Sequence, residues 1–410
     1  MNPGYLVTLL ALVCCWPAWT AESRPQAINL TSDNFSDLAF LRPLLAGKRI
    51  VQLGENSHGI HEYNLLKDRL VRFLHQELGY RVLAFESSLF QCDDVDRQLA
   101  TQNPQASMAK SVFGVWHTEG VLPIFAYLQQ TQASPQPMRL MGFDIQPIGN
   151  NKRHRPDFLA RVVAAFDKSY AQEVKALDQS FLTEYAKGSR ARRSFFRSEA
   201  GQAMAAAYGR LRDQLSGKAG SRDLVIARQI AFSMAAYIRQ QSAATNHDHV
   251  HRRDHGMAQN LIALAEEIYP NEKIVVWAHN FHIRHANQAI EPDPDLFPGV
   301  RVETMGHWLK KKYAGEIYTI GFYAFQGQAH NNRGKVFDIT PAAAGSLEGL
   351  LKQTGHKAAF LEVGKLPPES PFAQPLTARY NGETPLTMNL AEQYHAVIVI
   401  DRATPSRVQR

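Results

Sequence analysis

Apolar runs alternate with stretches of helical periodicity in the first third of the chain. The run RIVQLGE (49–55) is typical of a buried strand, and residues 63–79 carry apolar side chains at helical spacing up to Gly79. The runs RVLAFES (81–87) and MRLMGFD (138–144) predict two more strands. Strand, helix and strand in this order indicate a parallel α/β sheet.

A long helical block follows these strands. Residues 157–269 contain no proline and are rich in residues that favour helices, with breaks predicted near Gly188 and in SGKAGS (216–221). We expect this block to form a helical cap over the edge of the sheet that carries the chemistry. A long crossover connection is the alternative interpretation.

The α/β pattern returns in the last third of the chain. The run KIVVWAHNFHI (273–283) predicts a strand that continues into a polar turn, and three further strands are predicted at 316–325, 357–363 and 394–401. The predicted fold class is therefore α/β, with a largely parallel sheet flanked by helices and a helical insertion in the middle of the chain. We divide the chain into an α/β core of residues 24–155, the insertion of 156–252 and a second part of the core in 253–410.

Composition and charge narrow the class of protein. The chain has 410 residues, 45% of them hydrophobic, so it can bury a large core and is not disordered as a whole. The net charge of +7 comes mostly from scattered cations. We interpret the short runs RARR (190–193) and LKKKY (309–313) as solvated helix faces, and we expect no nucleic-acid partner.

The first 23 residues resemble a secretory signal peptide. An apolar stretch from Tyr5 to Trp16 is followed by Pro17 and by small residues that suit cleavage. We therefore expect a periplasmic or secreted protein without stable membrane association after cleavage. Cys92 is then the one remaining cysteine, so no intrachain disulfide is expected, and we interpret its thiol as structural.

The candidate chemistry lies where predicted strands end. Four strands finish in polar side chains, and parallel strands bring such ends to one edge of a sheet, where ligands bind. The residues concerned are Glu55 with His58, then Glu86, then Asp144, then His279 with His282. Each alone has a structural explanation, since a strand-end carboxylate often caps the next helix.

Three chemistries suit such a set of residues. A serine nucleophile is one, although GENSHG places Ser57 one position too late for the G-x-S-x-G turn. A zinc site built from His58, His279 and His282 is the second, although no H-E-x-x-H pair is present. The third is a histidine that deprotonates water while a carboxylate orients its ring.

A separate histidine-rich stretch, HDHVHRRDH (247–255), resembles a metal-binding tract. We interpret it as the polar entry to the following helix, with Asp254 near the helix N-terminus. No metal site is predicted there.

Taken together, these residues resemble the erythromycin esterase family, whose pattern opens with G-E-x-x-H after a strand. Gly54, Glu55 and His58 match that opening. Further similar segments run through nearly all of the chain after the first 23 residues: RVLAFES (81–87), MGFD (141–144), RRDHGMAQN (252–260), WAHNFH (277–282) and MGHWL (305–309).

The resemblance implies a metal-independent and cofactor-free carboxylic ester hydrolase that opens a macrolide lactone or a similar hydrophobic small-molecule ester, as in macrolide resistance. It implies His58 as general base and Glu55 as the carboxylate that orients it. His279 and His282 would form the opposite wall and polarise the carbonyl, and Glu86 would be a second acid. Arg69 and Asp144 are assigned to substrate binding.

Two other hypotheses remain at this stage. The same crevice suits a protein that binds a metal complex or a hydrophobic ligand without turnover, or a metal-dependent hydrolase. It also suits an esterase that acts on substituents of an envelope polysaccharide.

Overall fold

The computed structural model describes residues 24–32, 34–147, 151–218, 220–292 and 301–409. The predicted signal peptide, residues 1–23, lies outside this range. Within it, no helix combines the length and the apolar character needed to cross a bilayer.

Twelve strands form two sheets in this part of the chain. They are β1 (Gln26–Ala27), β2 (Ile50–Leu53), β3 (Tyr80–Ser88), β4 (Arg139–Asp144), β5 (Lys273–Trp277), β6 (Glu291–Pro292), β7 (Ile317–His330), β8 (Val336–Ile339), β9 (Ala358–Glu362), β10 (Leu376–Tyr380), β11 (Thr384–Met388) and β12 (Ala396–Ala403).

Six of these strands form the parallel centre of the larger sheet, in the order β12-β7-β2-β5-β3-β4. Strand β9 extends it antiparallel beside β12, β1 follows β9, and β8 folds back along the end of β7. The smaller sheet has the order β10-β11-β6. The carboxyl ends of β2, β5, β3 and β4 therefore lie side by side at one edge, as the sequence predicts.

Helices cover both faces of the large sheet. They are α1 (Leu41–Leu44), α2 (His61–Leu78), α3 (Leu89–Asp96), α4 (Pro104–Ser111), α5 (Leu122–Thr131), α6 (Arg155–Ala164), α7 (Lys168–Tyr185), α8 (Ser189–Arg197), α9 (Glu199–Ser216), α10 (Arg222–Gln241), α11 (Asn246–Ala263), α12 (Asn280–Ile283), α13 (Met305–Lys312), α14 (Leu347–Lys352) and α15 (Leu390–Gln393).

Side chains of alternate residues in the central strands pack into two hydrophobic layers, one on each face of the sheet. Ile50 and Ile274 belong to the layer under α6 to α11, whereas Val51 and Val275 belong to the layer under α2 and α5. Successive side chains of a strand point to opposite faces, so a strand covered on both faces is apolar at nearly every position. This explains the uninterrupted apolar runs, and it confirms the predicted α/β class.

The helical block has the two predicted breaks and three more. Gly188 precedes α8, and α9 and α10 are separated between residues 216 and 222. The additional breaks precede α7, α9 and α11, and at each of them the side chain of the residue before the helix caps it: Asp167, Ser198 and Thr245 accept from the backbone of Tyr170, Gly201 and Asp248.

The helix predicted after residue 253 begins earlier. Helix α11 starts at Asn246, where the Thr245 side chain accepts from the Asp248 backbone, and it runs across the predicted boundary at 252 and 253. The prediction that Asp254 lies near a helix N-terminus is wrong, because Asp254 is well inside α11. The polar stretch 247–255 is part of this helix rather than its entry.

Candidate active site

The turn after β2 is held against its neighbours by two close approaches. A Cβ atom on Gly54 would lie 2.0 Å from Asn280 Oδ1, and one on Gly59 would lie 1.9 Å from the His330 carbonyl oxygen. Gly59 also pairs with His330 in an isolated β-bridge. Glycine at both positions lets the turn pack against α12 and β7, which fixes the two acid–base residues between them.

Glu55 is fully buried, and three donors surround its carboxylate. His58 Nδ1 lies 2.6 Å from Oε1, Trp116 Nε1 donates to the same oxygen at 3.0 Å, and Lys67 Nζ donates to Oε2 at 2.6 Å. Burial alone would raise the pKa of Glu55, but Lys67 and His58 outweigh it and lower that pKa. An ionised carboxylate only accepts, so the proton of His58 lies on Nδ1 and Nε2 is the basic atom.

Lys67 is a buried cation. Its side chain has no exposed surface, and Nζ lies 4.7 Å from the centre of the Trp277 ring. Burial lowers the pKa of Lys67 to about 8, although the charge of Glu55 opposes this effect.

A second charged network lies across the same edge. His282 places Nδ1 2.8 Å from Asp254 Oδ1 and Nε2 3.1 Å from Glu86 Oε1. Burial alone would lower the pKa of His282, but the two carboxylates raise it to about 9. His282 is therefore an imidazolium at neutral pH, with both N–H groups directed at acids.

Glu86, on β3, joins this network to the turn after β5, the neighbouring strand of the sheet. Its Oε1 accepts from Arg253 Nη2 at 2.9 Å, and its Oε2 accepts from the His279 backbone at 2.9 Å. Burial alone would raise the pKa of Glu86, yet His282 and Arg253 hold it well below the usual value.

Arg253 lines the cleft from α11. Its Nε and Nη2 donate to Asp144 Oδ2 at 3.1 and 2.5 Å, whereas Nη1 has no carboxylate partner and lies 3.3 Å from His282 Nε2. Asp144 thus positions Arg253 and is itself almost fully buried.

His279 has a different environment from His282. Its Nε2 lies 3.0 Å from the Asn56 carbonyl oxygen, and its Nδ1 accepts from the Phe281 backbone at 3.1 Å. Burial, with the nearby His58, lowers the pKa of His279 to about 3, so its ring is neutral. It forms a wall beside His58, with ring centres 5.1 Å apart.

A cavity of about 910 Å³ opens over these groups. His58, Glu86, Arg253, His279 and His282 all line it. The remaining wall comes from loops and strand ends: Ser57, 113–116, Gln146, Phe281, 331–333, Lys335, Phe337, 380–381 and Glu383. Of the described residues in the predicted insertion, 156–252, none lines the cavity, so its shape is set by other segments.

The structure brings Glu55, His58, Glu86, His279 and His282 together. Asp144 stands behind Arg253. The structure does not bring Arg69 to the cavity: its guanidinium binds Asp37 and the carbonyl oxygens of Asn29, Ser32 and Asn34. It fastens the first described segment to α2.

The sequence-based prediction of the site missed four residues: Lys67, Trp116, Arg253 and Asp254. Lys67 carried a weak signal, because it lies between Leu66 and Leu70 on the apolar side of α2, where a cation needs a partner. Arg253 and Asp254 stood in the segment 252–260 that resembles the family. Trp116 carried none, since its segment has no recognisable pattern.

The donors of the site leave little for a metal ion. Both ring nitrogens of His279 are bound to the backbone and both of His282 to carboxylates. In the described ranges no group of three or more histidine, cysteine, aspartate or glutamate side chains is arranged to hold a metal. In the 247–255 stretch, His251 and His255 pack on Trp308, with ring centres 5.4 and 5.1 Å from it.

Comparison with known proteins places this site in a family. The family model described as "Erythromycin esterase" matches residues 75–403. YbfO of Bacillus subtilis (strain 168), whose name designates it as a hydrolase, is 30% identical over 95% of this chain and 92% of its own length. "Erythromycin esterase type II" of Escherichia coli is 27% identical over 32% of each chain.

Solved structures share the fold. A protein from Bacillus cereus matches with a TM-score of 0.78 at 20% identity, over 94% of this chain and 97% of its own. A structure titled as a succinoglycan biosynthesis protein matches with a TM-score of 0.78 at 19% identity, over 94% and 96%. An erythromycin esterase mutant in its open conformation matches with a TM-score of 0.68 at 19% identity, over 93% and 98%.

Proposed function

The chain belongs to the erythromycin esterase family of hydrolases, and on that basis we propose that it cleaves carboxylic esters with a water molecule activated by His58. The observation that carries this proposal is the chain of contacts Lys67–Glu55–His58. It holds the Nδ1 proton on a buried carboxylate and leaves Nε2 facing the cavity as a base.

The reaction needs a proton acceptor and a charge for the developing oxyanion. His58 Nε2 takes a proton from water, and the resulting hydroxide attacks the ester carbonyl. His58 then returns the proton to the departing alkoxide, so water and ester give an acid and an alcohol. Arg253, with its Nη1 free of carboxylates, stabilises the negative charge on the carbonyl oxygen.

The first candidate substrate is a macrolide lactone. It comes from the family resemblance and from the names of two of the relatives. The cavity of about 910 Å³ is large enough for a drug-sized ester. Hydrolysis of a lactone opens the ring and adds one water to the mass, so turnover is visible without a reporter group.

We further propose that the protein is exported. Residues 1–23 carry the apolar stretch and small residues of a signal peptide. Export would place the hydrolase in the periplasm or outside the cell.

The test is incubation of the purified protein, dialysed against a chelator, with erythromycin, followed by mass spectrometry. We expect the product with one added water from the wild type. We expect His58→Ala to lose activity on the order of a hundredfold to ten-thousandfold, as is typical of a general base.

The matched control is His154→Ala, because the His154 side chain is 63% exposed and pairs only with Asp94 at the surface. It should retain full turnover. A His58→Ala protein as active as this control would refute the general-base role, and a wild type inert toward erythromycin would refute the macrolide substrate.

A second candidate substrate is an ester substituent on a polysaccharide. Amide side chains of Gln146, Asn331, Asn332 and Asn381 line the cavity together with aromatic rings, which suits hydroxylated sugar rings. One structure with the same fold is titled as a succinoglycan biosynthesis protein.

A further inference from the structure

Helix α8 carries a stripe of exposed arginines. Arg190, Arg193 and Arg197 are spaced three and four residues apart, so they share one face of the helix, and all three are exposed. A stripe of three like charges repels itself in the folded protein. It is stabilised when an anion binds along it.

Two more arginines continue this stripe. Arg197 Nη2 donates to the Ala243 carbonyl oxygen at 3.0 Å, and Arg252 Nη1 donates to the Arg239 carbonyl oxygen at 2.9 Å. The turn between α10 and α11 thus joins the two helices to α8. We call Arg190, Arg193, Arg197, Arg239 and Arg252 the arginine patch.

The patch has no acidic counterpart among the described residues. None of its five guanidinium groups forms an ion pair with a carboxylate in that part of the chain, whereas buried Arg155 and Arg253 do. The patch is therefore a positively charged surface whose guanidinium groups are not held by ion pairs with described carboxylates.

The patch adjoins the cavity. Burial lowers the pKa of His249, and the charges of Arg253 in the cavity wall and of Arg193 in the patch add to this effect, so His249 stands near both. On the other side, Arg192 lies 4.8 Å from the centre of the Tyr185 ring, and Tyr185 donates to the Pro147 carbonyl oxygen at 2.5 Å, one residue after Gln146 at the cavity wall. The patch therefore lies beside the wall of the cavity that Arg253 forms.

The cavity itself continues the positive surface. Arg333 and Lys335, on the turn between β7 and β8, are exposed and line it, and neither forms an ion pair with a described carboxylate. Glu383 is the one exposed acid among the described lining residues. Cations thus stand on the turn that lines the cavity and on the surface that leads to it.

We propose that the arginine patch binds an acidic polysaccharide and presents one of its ester substituents to His58. Binding of the polysaccharide does not depend on the proposed ester hydrolysis. Only the cleavage that follows binding rests on it. The amides and rings of the cavity suit sugar units, and the arginines suit carboxylate, pyruvyl or sulfate groups repeated along a chain.

The arginine patch suits a membrane or a nucleic acid less well than it suits an acidic polysaccharide. The described large hydrophobic side chains that are exposed are Phe166, Val336 and Val408, and none belongs to α8 or to residues 239–252. Interfacial binding needs apolar side chains beside the cations, and single-stranded nucleic acid needs exposed rings for stacking.

The experiment is a titration of the full chain carrying His58→Ala, so that bound polymer is not consumed. The probes are polygalacturonate and, as a neutral polymer of matched length, dextran. We expect saturable binding of polygalacturonate that weakens as salt is added, and no binding of dextran. Equal binding of both polymers, or of neither, overturns the proposal.

The patch is tested by combining Arg190→Gln, Arg193→Gln and Arg239→Gln. We expect polygalacturonate binding to weaken about tenfold, with the circular dichroism spectrum unchanged, because these side chains are exposed. The matched control combines Lys311→Gln, Lys357→Gln and Arg402→Gln, three exposed cations outside the patch, and should change binding less than twofold, within the range of surface effects. Equal losses of polygalacturonate binding in the two triple variants overturn the assignment of binding to the arginine patch.

Other occupants are tested directly. Tighter binding of phosphatidylglycerol vesicles or of a single-stranded oligonucleotide than of polygalacturonate overturns the polysaccharide assignment. Hydrolysis of p-nitrophenyl acetate by the protein with His58 intact is measured separately. A protein that cleaves this ester but binds no polygalacturonate contradicts only this inference, and one that binds polygalacturonate but cleaves no ester contradicts only the proposed function.

Discussion

At the scale of single residues, Lys67 is a buried ammonium group that faces Glu55 and the ring of Trp277. Its charge keeps Glu55 ionised, and Glu55 in turn fixes the proton of His58. Burial lowers the pKa of Lys67 to about 8, so the charge is lost in a range where many hydrolases are assayed. The basicity of His58 therefore depends on a group that does not touch the substrate.

We predict that ester hydrolysis declines above pH 8 and that Lys67→Arg moves this decline to higher pH. An arginine stays protonated throughout the measurable range, so Glu55 keeps a cation at every pH. The measurement is kcat between pH 6 and 10 for both proteins. His282, with a pKa of about 9, sets the limit that the variant should reach. An unchanged alkaline limb in Lys67→Arg would contradict the role assigned to Lys67.

We predict that Arg253→Gln lowers kcat on the order of a hundredfold or more while KM for a small ester changes little. The loss of an oxyanion donor affects the transition state more than the bound substrate. Arg402→Gln is the control, because Arg402 is exposed and lies outside both the cavity and the arginine patch. Arg253→Lys keeps a cation between Glu86 and Asp144, so it separates catalysis from folding. A parallel loss of kcat and thermal stability in all Arg253 variants would indicate a structural role only.

The residues that were predicted and those that were missed differ in a physical way. Glu55, His58 and Glu86 stand at strand ends, where the alternation of strand and helix already places them. Lys67 and Arg253 come from the interior of helices, and their position depends on how α2 and α11 rotate against the sheet. The spacing of residues along the sequence does not show how each helix is rotated against the sheet.

At the scale of elements, the turn after β2, which carries Glu55 and His58, contacts β7, the longest strand of the sheet. Gly59 pairs with His330 at the end of β7, and a Cβ at Gly59 would lie 1.9 Å from the His330 carbonyl oxygen. That contact is with backbone, so a side chain at this position forces the turn itself to shift. His58 would move with it.

We predict that Gly59→Ala destabilises the protein by about 1–3 kcal/mol and abolishes most ester hydrolysis. The measurement is urea unfolding together with initial rates. The matched control is Gly345→Ala, where a Cβ meets nothing within 4 Å and φ is not positive. It should leave rates and stability nearly unchanged. A fully active Gly59→Ala protein would show that the bridge to β7 does not position His58.

Helix boundaries show the limit of pattern-based prediction at this scale. The end of α2 was predicted at Gly79, which has a φ of 71° and ends the helix in the left-handed region. The start of α11 was missed because its first turns are polar, and the apolar period that marks a helix begins only at Met257. Thr245, whose side chain caps the helix, was the available signal.

At the scale of the whole molecule, the histidines with shifted pKa values divide into two classes. His279, His285 and His395 have lowered pKa values because burial disfavours their charged forms, to about 3 for His279 and about 4 for His395. His282 is the opposite case, since Asp254 and Glu86 raise its pKa to about 9. The unfolded chain titrates all four near their ordinary value of about 6.5.

These classes give stability a maximum near neutral pH. Below pH 6.5 the unfolded chain binds protons that His279, His285 and His395 do not bind in the folded state. Stability therefore falls as pH falls. Above pH 6.5 the unfolded chain loses the proton that His282 keeps up to about pH 9, so stability falls as pH rises. Between pH 6.5 and 8 the two effects oppose each other, because the unfolded chain releases the protons of all four histidines, and Lys67 begins to titrate near pH 8. The contribution of His282 is therefore measured against a variant that lacks it.

We predict that, between pH 6.5 and 8, the wild type loses about 2 kcal/mol of unfolding free energy relative to His282→Gln. Urea unfolding at fixed ionic strength measures both proteins. His154→Ala, which alters an exposed histidine, should keep the wild-type slope. A wild type whose stability changes with pH in the same way as that of His282→Gln would mean that His282 is not charged between its two carboxylates. The electrostatic wall opposite His58 would then have to come from Arg253 alone.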